Sequence, residues 1–413
     1  AEPLAADLRG GPDERRMGFL KLVAGMLGVG LDDLVQRETT RRQRRMAWIT
    51  SASLLGMLVA IGLAVFAIQA RDAARDQRRE AEGLVAFMLG DLKDKLEPIG
   101  KLDALDGVGA KVLDYYRKQD AGELSDAGLV QRSKALSLSA QVTYLRGDFP
   151  SAQKLYREAM VGTAEAVRRD PDNPQRLFDH AQNVFYVGDL ARQKGRIEEA
   201  HSYYLEYKRL ADRMTALAPD NLKWRMEGLY ATSNLGIIAM RQRRFAEAAR
   251  QFGSAIAPVQ SFVVLDPNNA EYRQALANGL GWYADAERSL GRLDRAIAAR
   301  QRQIDFLNRS IAQGYADVVL RERLIPAHQG LAMLFDWRGD RRTAVGHMQR
   351  AVDAAERLRA VEPDNSNWRD FGASAHLELA RLQLALQRRD EAAGETARGC
   401  ASAVALRDRD PNV

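Results

Sequence analysis

Residues 219–252 read PDNLKWRMEGLYATSNLGIIAMRQRRFAEAARQF, and this stretch decides the fold. Its opening Pro-Asp-Asn ends one helix and starts another, because proline cannot continue a helix and an Asn or Asp side chain accepts from the free N–H groups of a helix start. An apolar-periodic stretch begins at Trp224, a short basic turn follows, and a second such stretch begins at Phe245. The pattern predicts a hairpin of two helices.

The same pattern recurs along the chain every 48 residues. Triplets of the Pro-Asp-Asn or Pro-Asn-Asn type begin at 171, 219, 267 and 363, and Pro411-Asn412 follows at the same spacing. The copy expected at 315 reads Tyr-Ala-Asp and lacks proline. A second lattice of the same period consists of alanines: Ala152, Ala200, Ala248, Ala296, Ala344 and Ala392. Together they indicate six units: 123–170, 171–218, 219–266, 267–314, 315–362 and 363–410.

A helical hairpin with one apolar face cannot bury that face alone, so neighbouring units must stack. A small alanine at a fixed place in each second helix allows the two helices of a hairpin to cross closely. We therefore expect an all-α superhelical solenoid of about six long helical hairpins over residues 123–410.

The repeat resembles the tetratricopeptide (TPR) family. Leu235-Gly236, Ala248 and Phe252 follow the family's pattern in order and spacing. A TPR unit usually has about 34 residues, so a period of 48 implies longer helices. Later copies replace the aromatic residue, and we expect looser packing at these positions: Arg300, Met348 and Thr396.

An apolar segment precedes the repeats. Residues 46–70 form a run of 25 residues without a charge, and about 20 helical residues span a bilayer. A signal peptide would have a shorter apolar run of about 7–15 residues near the start of the chain, whereas 45 residues precede this one. A buried core helix would not carry arginine clusters at both ends. We therefore expect a single uncleaved transmembrane helix over 46–70.

Basic residues flank this helix unequally. Five lie before it, namely Arg37, Arg41, Arg42, Arg44 and Arg45, and four lie after it, namely Arg71, Arg75, Arg78 and Arg79. Because arginines close to a membrane resist translocation, residues 1–45 are expected in the cytoplasm and the repeats on the far side of the membrane.

Short motifs on either side of the apolar helix resemble bacterial Toll/interleukin-1 receptor-like (TIR) domain proteins that carry an anchor and repeats. They lie in residues 20–37 and 81–98, and the second also resembles some membrane kinases. The resemblance implies that 1–45 is a juxtamembrane segment holding the tail of a TIR-like domain, and that 71–122 is a helical linker and cap. It also implies a bacterial inner membrane, periplasmic repeats and a sensing or assembly role in signalling.

Two other functions stay open: a cell-envelope assembly scaffold or co-chaperone with a periplasmic TPR domain, and the C-terminal part of a larger NAD-cleaving TIR enzyme or membrane kinase. The given residues contain no G-x-x-x-x-G-K-[ST], G-x-S-x-G or H-E-x-x-H motif, one cysteine and five scattered histidines. We therefore expect a non-enzyme without catalytic residues, cofactor or metal. The net charge of +6 is spread along the chain, which argues against nucleic acid as a partner. Homo-oligomerisation stays open.

The expected binding surface is the concave side of the solenoid, which the first helices line. Its partner is expected to be a protein or peptide, because aromatic, Arg and Asp side chains together suit an extended peptide or a partner helix. Transfer of the family's groove positions by the Leu-Gly register gives twelve residues: Phe185, Asp189, Arg192, Tyr230, Ile237, Met240, Asn278, Asp285, Arg288, Met333, Asp336 and Trp337.

Overall fold

A computed structural model describes residues 11–87, 102–117, 126–315, 318–362 and 365–409. Several expected features lie wholly or partly outside these ranges: residues 1–10 of the juxtamembrane segment, 88–101 and 118–122 of the linker and cap, Ala316-Asp317 of the copy at 315, the Pro-Asp of the triplet at 363, and Pro411-Asn412. Within the described residues the chain forms helices and no strand. They are α1 (Pro12–Leu27), α2 (Leu31–Phe87), α3 (Leu102–Arg117), α4 (Asp126–Leu145), α5 (Phe149–Arg169), α6 (Pro174–Gln193), α7 (Ile197–Leu217), α8 (Leu222–Arg241), α9 (Phe245–Leu265), α10 (Ala270–Ser289), α11 (Leu293–Ala312), α12 (Val318–Trp337), α13 (Arg341–Val361), α14 (Ser366–Ala385) and α15 (Arg389–Arg409).

The chain divides into two compact units, Ala1–Leu84 and Val85–Val413. The first unit contains α1 and most of α2, a helix of 57 residues. Within α2, the most apolar 18 residues of Met46–Ala73 have a mean hydropathy of 2.3, and none of them is buried. In the described part of the chain this is the one helix long and apolar enough to cross a membrane. It is a candidate span by length and composition.

The second unit contains the repeats as consecutive helical hairpins. First helices begin at 126, 174, 222, 270, 318 and 366, and second helices at 149, 197, 245, 293, 341 and 389. Within each of these two series, every helix therefore starts 48 residues after the previous one. The helices have 20 or 21 residues. The expected all-α solenoid of six long hairpins is confirmed.

The turns between helices follow the sequence lattice. Asn173 precedes α6, and its side chain accepts from the backbone N–H groups of Gln175 and Arg176 at 3.1 and 3.2 Å, as expected of a helix cap. Four turns inside hairpins place glycine at positive φ, whereas Arg243 and Gln387 adopt φ of 60° and 63° at the same position. These two side chains adopt a backbone conformation that normally favours glycine.

The core lies where the two helices of each hairpin cross. All six lattice alanines are at most 1% exposed. Beside the crossing of α8 and α9, Gly236 lies against Phe252 so closely that a Cβ atom there would stand 2.6 Å from the ring. Alanine and glycine thus give these helices their close approach.

The expectation of looser packing in the later repeats is wrong at two of the three positions. Met348 is 3% exposed and Arg300 is 7% exposed. Arg300 fits because Gly281 and Gly330 have no Cβ atom. A Cβ at either position would stand 2.9 Å from a nitrogen of the Arg300 guanidinium. Thr396, in contrast, is exposed.

The curvature of the solenoid follows from which helices approach one another. First helices of neighbouring repeats contact each other, namely α4 with α6, α10 with α12 and α12 with α14, more extensively than any two second helices do. The first helices therefore line the inner face, and the second helices form the outer face.

We expect Ala248→Phe to destabilise the second unit by about 1–3 kcal/mol, because a ring cannot fit at the crossing without displacing a helix. Ala246→Phe is the matched control, since Ala246 is exposed on the same helix. Thermal unfolding of both variants checks the prediction. An equal melting temperature for Ala248→Phe and the parent chain would mean that the register is wrong.

Candidate protein-binding groove

A cleft lies on the inner face between α8 and α10, and we call it the central cleft. It measures about 490 Å³, including open solvent at its mouth, and the second helix α9 forms its floor. Its walls present Tyr230 and Asn234 from α8, and Asn278 and Trp282 from α10. Ile256 contributes to the floor. The cleft therefore combines aromatic and apolar surface with two side-chain amides.

A second cleft lies on the same face between α4 and α6, and we call it the N-terminal cleft. It measures about 1310 Å³, again including open solvent. Its lining is more polar and includes Lys134, Gln141, Gln182 and Tyr186, with Lys223 contributed by α8. The Lys223 ammonium lies 4.0 Å from the centre of the Phe178 ring, a cation–π contact.

Two carboxylates lie one repeat apart on this face, Asp179 on α6 and Glu227 on α8. Lys134 Nζ lies 3.5 Å from Asp179. Glu227 accepts from Tyr207 Oη at 2.5 Å and from Gln182 Nε2 at 3.0 Å. Burial raises the pKa of both carboxyl groups above their ordinary values, since desolvation disfavours the charged form. A cation from a partner would lower this cost.

Several of the residues predicted for the groove instead connect one repeat to the next. Asp189 accepts from Tyr144 Oη of the preceding repeat at 2.9 Å and pairs with Arg192 at 2.6 Å. The pKa of Tyr144 is raised to about 12, mainly by burial and secondly by the negative charge of Asp189. Asp336 accepts from Arg381 of the following repeat at 3.0 Å. These side chains are already engaged within the solenoid.

In the fourth unit, residues 267–314 (repeat 4 when the six units are numbered along the chain), Asp285 accepts from Arg300 Nη2 at 2.7 Å. The guanidinium of Arg288 lies 5.4 Å from the centre of the Trp337 ring in the next repeat. Trp337 nevertheless keeps 54% of its surface exposed, and Met333 on the same helix keeps 41%. These two exposed side chains add apolar surface to the C-terminal part of the inner face.

The remaining predicted groove residues belong mostly to the packing within and between hairpins. Phe185 stacks on Tyr204 with ring centres 5.9 Å apart, and Ile237 and Met240 pack against a buried cluster. Tyr230 and Asn278 are the predicted residues that line the central cleft. Tyr230 Oη donates to Glu271 at 2.7 Å. The pKa of Tyr230 is raised mainly by burial and secondly by this hydrogen-bonded carboxylate.

The prediction from sequence omitted other residues that line the clefts. They are Asn234 and Trp282 in the central cleft and Lys134, Asp179, Gln182 and Tyr186 in the N-terminal cleft. A signal for two of them exists in the repeat register. Lys134 and Gln182 lie 96 and 48 residues before the predicted Tyr230, so extending that position through every repeat would have found them. Tyr186, Asn234 and Trp282 share a different position of the repeat, which the prediction did not include.

No protein-family model matches the sequence, and no curated protein matches it. Solved structures do match. RapI in its apo form has a TM-score of 0.54 and is 11% identical, with 78% of this chain and 76% of that chain covered. BtubC from P. vanneervenii has a TM-score of 0.47 and is 19% identical, with 64% and 92% covered. Nearly identical TPR-like repeats from Podosopora anserina have a TM-score of 0.42 and are 16% identical, with 56% and 96% covered.

The fold is a tetratricopeptide-like solenoid. At these identities the likeness concerns the fold alone, because one fold serves many functions. In the described residues no group of three or more His, Cys, Asp or Glu side chains could hold a metal ion. The inner face presents aromatic rings, side-chain amides and partly desolvated carboxylates.

We expect Asp285→Asn to destabilise the second unit by about 1–3 kcal/mol, because it leaves the buried Arg300 guanidinium without a charged partner. Arg300→Met should cost less, since methionine occupies this position in the next repeat. The double variant Asp285→Asn with Arg300→Met should recover most of the stability that Asp285→Asn alone loses. Denaturant unfolding of the parent and the three variants checks this cycle. Additive effects of the two substitutions would contradict the pairing.

A second prediction concerns pH. Because burial raises the pKa of Glu227, the folded state binds this proton more tightly than the unfolded state, and stability falls as pH rises from the ordinary pKa through the raised one. Glu227→Gln should therefore gain stability relative to the parent as pH increases from about 4.5 to 8. Asp294→Asn is the control, since the Asp294 side chain is 94% exposed. A constant stability difference between the Gln variant and the parent across this range would contradict the prediction.

Proposed function

We propose that this protein is a membrane-anchored protein-interaction scaffold whose inner groove binds an extended polypeptide segment. The observation that carries the proposal is the pair of clefts on one face, formed by equivalent positions of different repeats. A peptide lying along the first helices would meet both clefts in succession. Repeat solenoids commonly bind partners along this surface.

The lining defines the chemistry of the partner. An aromatic or branched aliphatic side chain would fill the central cleft between Tyr230 and Trp282 and remove apolar surface from water. A Lys or Arg side chain would lie near Asp179 and Glu227 and compensate their desolvation. The amides of Asn234 and Asn278 are suited to hydrogen bonds with the backbone of an extended peptide.

The anchor gives the scaffold its cellular role in this proposal. The apolar part of α2 would cross the inner membrane of a bacterium, with residues 1–45 in the cytoplasm and the repeats in the periplasm. The similarity of its flanks to TIR-domain proteins supports a sensing or assembly role, in which partner binding outside is passed on to a signalling domain inside. The arginine distribution around residues 46–70 supports this orientation.

Peptide display against the full chain in lipid nanodiscs tests the groove. Enriched peptides should carry an aromatic or aliphatic residue and a basic residue within a few positions of each other. Tyr230→Ala, and separately the pair Asp179→Asn with Glu227→Gln, should each weaken binding of the enriched peptides at least about tenfold, or about 1.4 kcal/mol. Arg250→Ala is the control, because Arg250 is exposed on the outer helix α9. Equal affinity for the parent and both groove variants would overturn the proposal.

Membrane orientation requires its own test. Alkaline phosphatase fused after Val413 should be active in a bacterial host, because the enzyme matures outside the cytoplasm, where disulfides form. A cytosolic reporter at the same position should be inactive. The opposite pair of results would place the repeats in the cytoplasm and make the protein an intracellular scaffold.

A further inference from the structure

A pocket on the outer face, distinct from the groove, lies between the second helices α9 and α11. We call it the outer pocket. It measures about 910 Å³, including open solvent, and the first helix α10 forms its base. Leu276, Leu280 and Phe306 provide apolar surface. Arg302 and Arg309 stand at its exposed rim.

The pocket occurs where repeat 4 departs from the pattern of most other repeats. Ser310 lines it and is 4% exposed, whereas the equivalent positions of four other repeats hold the larger residues Met214, Phe262, Leu358 and Leu406, and the first repeat holds Ala166. A small side chain at a position that neighbouring repeats fill leaves space between the helices. Tyr315, which stands where the lattice expects proline, lines the same pocket.

A buried arginine lies at the base of the pocket. Arg273 is 5% exposed, and its guanidinium lies 4.6 Å from the centre of the Tyr315 ring. It donates through Nη1 to the backbone oxygen of Pro267. Its Nε–H is buried and has no hydrogen-bond partner among the residues that the structure describes, an arrangement that costs free energy unless an acceptor is bound.

Burial of this arginine is not a general property of its place in the repeat. The equivalent position also holds arginine in repeats 3, 5 and 6, where Arg225 and Arg321 are exposed and Arg369 is half-buried. In repeat 4 the same residue type is enclosed by the pocket. The difference therefore follows from the local shape around Ser310 and Tyr315.

The charges that line the pocket are unbalanced. Three arginines line it, Arg273, Arg302 and Arg309, against one carboxylate, Asp305. A guanidinium offers planar donors that match the oxygens of carboxylates and phosphates. The apolar wall of the pocket and the buried guanidinium of Arg273 together suit a molecule that is apolar at one end and anionic at the other.

We propose that the outer pocket binds a small organic anion with an apolar body. The anionic group, a carboxylate or a phosphate, accepts from Arg273 Nε–H, and the rim arginines add to its attraction. The apolar body lies against Leu276, Leu280 and Phe306. This site is separate from the peptide groove, because the outer pocket opens between second helices and the central cleft between first helices, although Leu276 lines both.

Isothermal titration calorimetry of the full chain in detergent tests the proposal with three probes of similar shape: phenylacetate, phenyl phosphate and the neutral 2-phenylethanol. At least one of the two anions should bind saturably, and at least about tenfold more tightly than the alcohol. The stronger of the two anions identifies the head group. Equal affinity for the alcohol, or no saturable binding of either anion at millimolar concentration, would overturn the proposal.

Variants locate the binding. Arg273→Met should weaken anion binding at least about tenfold, whereas Arg321→Met, at the same position of repeat 5, should leave it unchanged. Ser310→Leu introduces the residue that repeats 5 and 6 hold at this position and should abolish binding while the helical circular dichroism signal and melting temperature are kept. Retention of full affinity in both Arg273→Met and Ser310→Leu would show that the anion binds elsewhere and contradict the assignment.

Discussion

The close crossing of two helices within each hairpin is the contact on which the rest of the structure depends. A fully buried alanine recurs at this crossing in all six repeats, and in the third repeat the missing Cβ of Gly236 leaves room for the Phe252 ring. Because every hairpin has the same crossing, each presents its apolar face to the next in the same register. Stacking then places the first helices on the inside of the curve, where the two clefts form.

The inner face serves two purposes, which compete for the same side chains. Asp189 and Asp336 are occupied by contacts between repeats, so they stabilise the solenoid and are less available to a partner. Asp179 and Glu227 are different, since burial raises the pKa of each and a partner cation would relieve the cost. Tyr230, Asn234, Asn278 and Trp282 supply shape and hydrogen bonding beside them. Recognition on this surface therefore depends on a few positions within a mainly structural face.

The sequence alone predicted the helices well, because the Pro-Asp-Asn and alanine lattices report local chemistry that each repeat must satisfy. The candidate site was predicted less completely. Asp285 occupies a groove position of the family pattern, yet Arg300 replaces the usual aromatic residue and takes Asp285 as its partner. The outer pocket depends on Ser310, whose consequence becomes visible only when the helices around it are in place. The membrane orientation and the TIR resemblance stay predictions.

The central claim is that the first helices form the binding face of a stacked solenoid. Hydrogen exchange of the full chain, with and without a peptide enriched by display, tests it most directly, since exchange reports local opening helix by helix. The account predicts slower exchange in α6, α8 and α10 on binding, with the second helices α7, α9 and α11 changed much less. Protection confined to the second helices, or spread equally over both sets, would contradict it.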